Sequence, residues 1–426
     1  MDNLFDTLDN RGFIHQFTDP TLREILSKER VTAYIGFDPT ASSLHLGTLL
    51  PIMGLVHYQR HGHRPIALMG GGTGMIGDPS GKAEERNLLS LDEIEHNLTC
   101  IRRQFERFLD FRCGESSALM LNNADWLARW NFLEFLRDIG KHFNINYMLA
   151  KDSVKRRVAD PDKGMSFTEF SYMLLQAYDF YHLRKQYECK IQMGGSDQWG
   201  NITAGIDLIR KLMGVTVYGI TFPLLTTAAG EKFGKSEKGT PVWLDAGMTS
   251  PYQMYQYLVR TDDRDVIRYL RLLTLLPLEK IETLEISHRS HPEAREAHRA
   301  LAYEVTGMVH GKDAADAARR AAHVLYGEEI VDMTDALLQE IFADVPFTPV
   351  SRDRFSKGIT LVNSFYDSGL CSSRSEARRL IQGGGAYVNN RRVDSVEFVL
   401  TADSLASEHF IVLRKGKKDY HLLKVE

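Results

Sequence analysis

Five short apolar runs, most of them ending in a turn of glycine, asparagine or aspartate, constrain the fold of this chain more than any other pattern in it. They are Val31–Phe37, Arg64–Gly70, Ala118–Asn122, Lys190–Met193 and Val215–Phe222. Stretches of helical periodicity lie between them: Leu46–Arg60, Asp92–Leu109, Ser166–Lys185 and Ile202–Met213. Apolar runs of this length read as buried strands. Strands that alternate with helices predict an α/β fold, a Rossmann-like, doubly wound parallel sheet. Such sheets bind ligands at the carboxyl ends of their strands, and most of the glycine-rich turns fall there.

The pattern changes further on. From Thr249 to about Leu325 the periodicity is helical throughout. Residues 327–350 are acidic and then carry Pro346 and Pro349, which predicts a linker with at most one short helix. A basic helix around Ser375–Gln382, a glycine stop at Gly383–Gly385 and a strand around Ala386–Asn389 predict a small α/β tail. At 426 residues the chain is too long for one ordinary core. The expected domains are 1–240, 241–330 (α-helical), a linker 331–354, and 355–426. Residues 351–426 hold 13 Lys/Arg and 9 Asp/Glu, a balance of +4 that leaves the remainder at −8. A basic tail on an acidic body suits a polyanionic partner, though an ordinary solvated surface has the same charge. No run reaches the roughly 20 apolar residues of a membrane span, and the acidic start Met1-Asp2-Asn3 is unlike a signal peptide. Cys100, Cys113, Cys189 and Cys371 are scattered without metal-ligand spacing, so reduced thiols, a cytoplasmic location and no bound metal are expected.

Two segments carry the clearest chemistry. His45-Leu46-Gly47-Thr48 opens a helix just after an apolar strand, and Lys232-Phe233-Gly234-Lys235-Ser236 places two lysines three apart in a loop bounded by glycine. The first lets an imidazole and bare backbone approach a triphosphate, with Gly47 leaving room for a nucleobase. The second supplies mobile positive charge for a leaving pyrophosphate. Each alone is also compatible with a helix start or a solvated turn. Within Gly70–Gly81 the glycine spacing imitates a dinucleotide loop, but the acidic residue some 20 positions on, Asp92, opens a helix and reads as its cap. Asp78, Lys82 and Arg86 are spaced to share a helical face, and paired cations beside such a loop suit a polyphosphate. Tyr172, Gln176 and Asp179 form one stripe of an otherwise apolar helix, a costly place for polar groups unless they face a ligand or water.

Taken in order, these blocks resemble the class I aminoacyl-tRNA synthetases, and most closely the bacterial-type tyrosyl-tRNA synthetase family. The resemblance covers essentially the whole chain, from Tyr34-Ile35-Gly36-Phe37-Asp38-Pro39-Thr40 through Gly194-Gly195-Ser196-Asp197-Gln198-Trp199 to the lysine loop, and the tail resembles an S4-type RNA-binding module. It implies a catalytic domain, then a helical domain that approaches the anticodon arm, then the S4-like domain. Tyr34 and Asp179 would bind the substrate hydroxyl. Asp78, Tyr172 and Gln176 would hold the α-ammonium, with Gln192 nearby and Gln198 at the reacting carboxylate. Gly36, Asp38, Gly47 and Asp197 would face the adenylate, Asp197 at the ribose. Thr40 and His45 would meet the polyphosphate, with Thr48 completing the signature, and Lys82, Arg86, Lys232 and Lys235 would neutralise the leaving pyrophosphate. Arg374, Arg378 and Arg379 would contact tRNA phosphates. The chain departs from the family pattern in two places: Thr48 stands where a second histidine is usual, and Ile35 stands where a ribose-reaching cysteine is common.

The resemblance therefore implies L-tyrosine, ATP with Mg2+, and tRNA as substrates, no tightly bound cofactor, and a homodimer. Three other readings compete: a tryptophanyl-tRNA synthetase, an RNA-binding paralogue without turnover, and a nicotinamide dehydrogenase.

Overall fold

The computed structural model describes residues 3–80, 89–151, 154–155, 158, 164–235, 239–324, 327–331, 333–343, 345–416 and 419–426. It divides into two compact units, Met1–Ser250 with Tyr257–Val309, and Pro251–Gln256 with His310–Glu426.

The first unit is built on a six-stranded sheet of β1 (Gln16–Phe17), β2 (Thr32–Phe37), β3 (Arg64–Met69), β4 (Leu119–Asn122), β5 (Cys189–Gly195) and β6 (Tyr218–Phe222), in the spatial order β1-β6-β5-β2-β3-β4. Strands β2 to β6 run parallel, as the alternating pattern predicts. The two-residue β1 pairs antiparallel on the edge of β6 and is too short for any periodicity to reveal. From β2 the chain winds outward through β3 and β4, then returns to lay β5 on the other side of β2. The β2/β5 boundary is therefore the topological switch point, where an open sheet of this kind leaves a crevice. A register shift between Thr32 and Ala33 sets Tyr34 opposite Gln192 across that boundary.

The stretch expected as one helix, Leu46–Arg60, begins with a 3-10 turn, Leu46–Thr48, before the α-helix Leu49–Arg60. Ser90, not Asp92, caps the helix Leu91–Phe105: it accepts from the Glu93 N–H, Glu93 answers in a capping box, and Asp92 sits in the first turn. The long helix Phe167–Tyr187 starts with the same device, Ser166 paired with Glu169, and ends at Glu188 in a left-handed conformation. Its Met173, Ala177, Phe180 and Leu183 pack in one core with Tyr34, Ile66 and Leu68.

In the second unit, five strands form one sheet in the order β10-β9-β12-β13-β7. They are β7 (Phe347–Val350), β9 (Ala386–Val388), β10 (Arg391–Val393), β12 (Phe410–Lys415) and β13 (Asp419–Val425), while β8 (Ile359–Thr360) pairs with β11 (Val399–Leu400). Its core gathers Val350, Leu361, Phe365, Ala377, Ile381, Ile411, Leu413 and Leu423. Residues 331–354, read from the sequence as linker, contain the helix Asp335–Ile341 and β7. Prolines suggested a break there, but β7 is an edge strand, a sheet position that tolerates a residue without an N–H. The basic helix Arg374–Gln382 leaves Arg374, Arg378 and Arg379 exposed. Among the described residues no helix is long and apolar enough to cross a membrane.

Candidate active site

At the switch point the first unit opens a cavity of about 340 Å³. Strand β2 brings Tyr34, Ile35, Gly36 and Phe37 to it. The turn after β2 brings Asp38 and Thr40, and β5 brings Gln192. The 3-10 turn beyond β5 adds Asp197 and Gln198, and the long helix adds Tyr172, Gln176 and Asp179. Asp78, His45, Thr48 and Lys232 complete the sequence-predicted residues that line it. Gly47 and Lys235 are not in the lining, and Lys82 and Arg86 lie outside the described residues.

Asp179 lies deepest. Its Oδ1 accepts from Trp126 Nε1 at 2.7 Å and its Oδ2 from Asn123 Nδ2 at 2.9 Å. Asn123 is fixed in turn: its Oδ1 accepts from the Gly72 N–H at 2.8 Å, and its Nδ2 reaches Thr73 Oγ1 at 2.9 Å. Burial pushes the Asp179 carboxyl up to about 7, against the two hydrogen bonds that stabilise its charge. Beside it Tyr34 is 1% exposed, and its hydroxyl has no partner among the described residues. Burial, and then the Asp179 charge, push that phenol well above its ordinary range, so it stays a donor. Gln192 Oε1 is likewise buried and unpaired. Buried polar groups are normally satisfied. A phenol and one amide oxygen left unpaired beside a buried carboxyl, all lining one cavity, suit a ligand that brings its own polar group.

A second layer is already paired. Asp78 Oδ2 accepts from Gln198 Nε2 at 2.7 Å, and Asp78 Oδ1 from the Ser80 N–H at 2.9 Å. Gln198 Oε1 accepts from Gln176 Nε2 at 3.2 Å and from Asn201 Nδ2 at 3.1 Å, and Asn201 also reaches Gln176 Oε1 at 3.0 Å. Asn201 thereby locks the two glutamines in one orientation. With Asp38, Asp78, Asp179 and Asp197 all lining it, the cavity is anionic. Burial, and then the neighbouring Asp78, raise the Asp197 carboxyl above its ordinary range, a cost that a cation relieves.

The two signature segments meet backbone to backbone. Leu46 N–H donates to Val242 C=O at 2.8 Å, Leu244 N–H to Leu44 C=O at 2.8 Å, and Val242 N–H to Gly234 C=O at 2.8 Å. His45 pairs with Trp243, and Lys235 with Pro241, in isolated antiparallel bridges. Gly234 adopts φ +87°, and a Cβ there would lie 2.6 Å from Gly47 N; a Cβ on Gly47 would meet the His45 ring at 2.9 Å and Phe233 O at 3.2 Å. The bareness of Gly47 is thus used by the lysine loop. Burial, and then Lys235, hold the His45 imidazole below its ordinary range, so it is neutral near pH 7. The Thr48 hydroxyl turns back on the same residue, donating to His45 C=O at 2.6 Å and accepting from His45 N–H at 3.2 Å.

Residues 26–327 match the family model described as tRNA synthetases class I (W and Y). Residues 338–423 match the model of the tyrosine–tRNA ligase SYY-like C-terminal domain. The chain belongs to the tyrosine–tRNA ligase family. The tyrosine–tRNA ligase of Roseiflexus castenholzii is 50% identical over 426 residues, covering all of both chains. That of Rhodopirellula baltica is 48% identical, covering all of this chain and 97% of its own. Among solved structures, a C-terminally truncated mitochondrial tyrosyl-tRNA synthetase from Aspergillus nidulans superposes with a TM-score of 0.69 at 34% identity, over 76% of this chain and 95% of that one. The dehydrogenase reading fails on the fold as well, because Asp92 lies in a helical first turn and not at a strand end.

Sequence reasoning gave no role to Asn123, Trp126, Thr73, Ser80 or Asn201. A signal existed for the first two: a polar Asn and a Trp directly follow an apolar strand at the ligand-bearing end of the sheet. Ser80 and Asn201 act through other side chains across more than a hundred residues, and nothing local marks them.

Proposed function

We propose that this chain activates L-tyrosine with ATP, forming tyrosyl-adenylate and pyrophosphate, and then transfers the tyrosyl group to a ribose hydroxyl at the 3′ end of tRNA. The observation that carries this reading is the pair of buried groups at the cavity floor, the unpartnered Tyr34 hydroxyl beside the fixed Asp179 carboxyl. Tyr34 donates to the substrate phenol oxygen, and Asp179 accepts the phenol proton. Phenylalanine would leave the Tyr34 hydroxyl unpaired and bring no donor to the Asp179 carboxyl, and an unsatisfied buried group costs about 1–3 kcal/mol. Asp78, Tyr172 and Gln176 receive the α-ammonium in the anionic wall, with Gln192 nearby and Gln198 directed at the carboxylate. That carboxylate attacks the α-phosphorus itself, so the protein needs no base. It contributes positioning and charge. Asp38, Gly36 and Asp197 face the nucleoside, and Thr40, His45 and Thr48 face the polyphosphate. Lys232 and Lys235, with Lys82 and Arg86, neutralise the departing pyrophosphate, and Mg2+ enters with the nucleotide as part of the substrate.

For tRNA, the exposed Arg374, Arg378 and Arg379 of the S4-like tail meet phosphates, and the helical region 241–330 approaches the anticodon arm. Two copies pair through the first unit, where Phe132, Leu133 and Ile145 are each at least 60% exposed. A cytoplasmic location agrees with Cys100, Cys113, Cys189 and Cys371 all being free.

ATP–pyrophosphate exchange with tyrosine, phenylalanine and tryptophan in parallel tests the reading. Exchange driven by tyrosine alone supports it. Exchange driven by tryptophan, or by none of the three, overturns it.

A further inference from the structure

Away from the cavity, three side chains of the first unit converge without any role in the reaction above. Asp263 lies in the turn before the helix Val266–Leu273, His288 in the last turn of the helix Leu278–Ser290, and His298 in the first turn of the helix Glu296–His310. Each offers one ligand atom, and these atoms lie within 4.8 Å of one another. We propose that Asp263, His288 and His298 hold a divalent transition-metal ion of the zinc class, tying three helical segments together.

The hydrogen bonding of the cluster points to a missing partner. His298 is fully buried, and neither of its ring nitrogens has a hydrogen bond among the described residues. Its Nε2 is 3.1 Å from Asp263 Oδ1, close enough for an ion pair but outside hydrogen-bond geometry. His288 Nδ1 is also buried and unpaired. Unpaired buried nitrogens on two neighbouring imidazoles beside a carboxylate call for an ion or an equivalent. The plainer reading is an Asp263–Arg295 ion pair that happens to neighbour two histidines. That pair is long, 3.7 Å, and Arg295 already donates to Val259 C=O at 2.6 Å. It leaves the imidazole nitrogens unaccounted for.

The geometry suits a metal in two further respects. His288 Nε2 sits 3.0 Å from the Asp263 backbone carbonyl. With its proton there, the ring keeps a lone pair on Nδ1, the tautomer that outer hydrogen bonds give to metal-binding histidines. Tetrahedral zinc with bonds near 2.0–2.1 Å needs ligand atoms about 3.3 Å apart. The His298–Asp263 separation is already close to that, and the three ligand atoms all lie within 4.8 Å of one another. Two imidazoles and one carboxylate select zinc, nickel, cobalt or copper over magnesium and calcium, which require oxygen ligands. A fourth position is left for water on the open Asp263 side, whose side chain is 56% exposed.

The test uses the untagged full-length protein, stripped with EDTA, titrated calorimetrically with zinc sulfate, and assayed for retained zinc after dialysis. One equivalent per chain with micromolar or tighter affinity is expected. Asp263→Asn and His288→Gln, at positions exposed enough to fold normally, should each weaken binding at least about tenfold. Zinc should raise the melting temperature of the wild type more than that of Asp263→Asn. Failure to take up a stoichiometric equivalent overturns the site, as does an equivalent whose affinity survives both substitutions.

Discussion

Replacing Gly234 by alanine separates catalysis from substrate recognition in this fold. At φ +87° an alanine carries about 1–2 kcal/mol of left-handed strain. The larger effect is positional. Its Cβ would lie 2.6 Å from Gly47 N, where ordinary contact begins at 3.4 Å, so the lysine loop and the His45 turn must part by about 0.8 Å. Misplacing reacting groups by about 1 Å costs on the order of 100-fold. Lys232 and Lys235 ride on that loop, whereas Tyr34, Asp179 and Gln192 are held by β2, the long helix and β5. The expected result is a fall of about 30- to 100-fold in kcat for pyrophosphate exchange, with the tyrosine Kd from equilibrium dialysis moving no more than about twofold, since the floor of the cavity is untouched. The melting temperature should drop by only a few degrees, as a loss of about 1–2 kcal/mol implies for a chain of this size. Unchanged kcat, or a tyrosine affinity that falls as far as kcat, would refute the reasoning.

Three further outcomes follow from the site. Asp179 carries a folded pKa of about 7, above the roughly 3.9 of an unfolded aspartate. Its contribution to stability is therefore full below about pH 4 and lost as pH rises through about 7; urea unfolding at pH 5 and pH 8 should show the wild type losing more stability than Asp179→Asn, and equal losses would count against the buried charge. Thr48→Val removes both hydroxyl bonds to the His45 backbone and should cost about 1 kcal/mol of stability, with kcat for exchange reduced and the KM for tyrosine unchanged; a raised KM with normal kcat would contradict the role of Thr48 in holding the turn. Joint substitution of Arg378 and Arg379 by glutamate should raise the KM for tRNA and lower the salt slope of binding by about 1 for each phosphate no longer neutralised, while exchange, which needs no tRNA, stays at the wild-type rate.

The parallel sheet was legible because each core strand is a short apolar run with its own terminating turn, and the pocket stripe was legible because Tyr172, Gln176 and Asp179 interrupt an apolar helix at helical spacing. What escaped was written in the pairing of distant segments. Strand β1 has two residues and exists because β6 offers it an edge. Strand β7 contains Pro349 and is stabilised by pairing with β13, some 75 residues later. Gly47 read as room for a nucleobase, and in the fold a Cβ there would also meet the His45 ring and the Phe233 carbonyl. Thr48 stands where a second histidine is usual in the family, and nothing in the sequence shows that its hydroxyl bonds to the backbone of His45. Local pattern reports what a segment can form. It does not report which remote backbone will come to rest on it.

The ladder that joins Leu44 and Leu46 to Val242 and Leu244 also orders events during synthesis. Nearly 200 residues separate its two sides. At about 5–20 residues per second, the first half waits on the order of 10–40 s before its partner leaves the ribosome. Through that interval Leu44 and Leu46, 4% and 0% exposed in the finished protein, lack the backbone that later pairs beside them. The His45 end of the cavity is therefore closed late, and a nascent chain halted before Val242 would carry both signature segments without the Val242–Leu244 backbone that pairs with Leu44, Leu46 and Gly234.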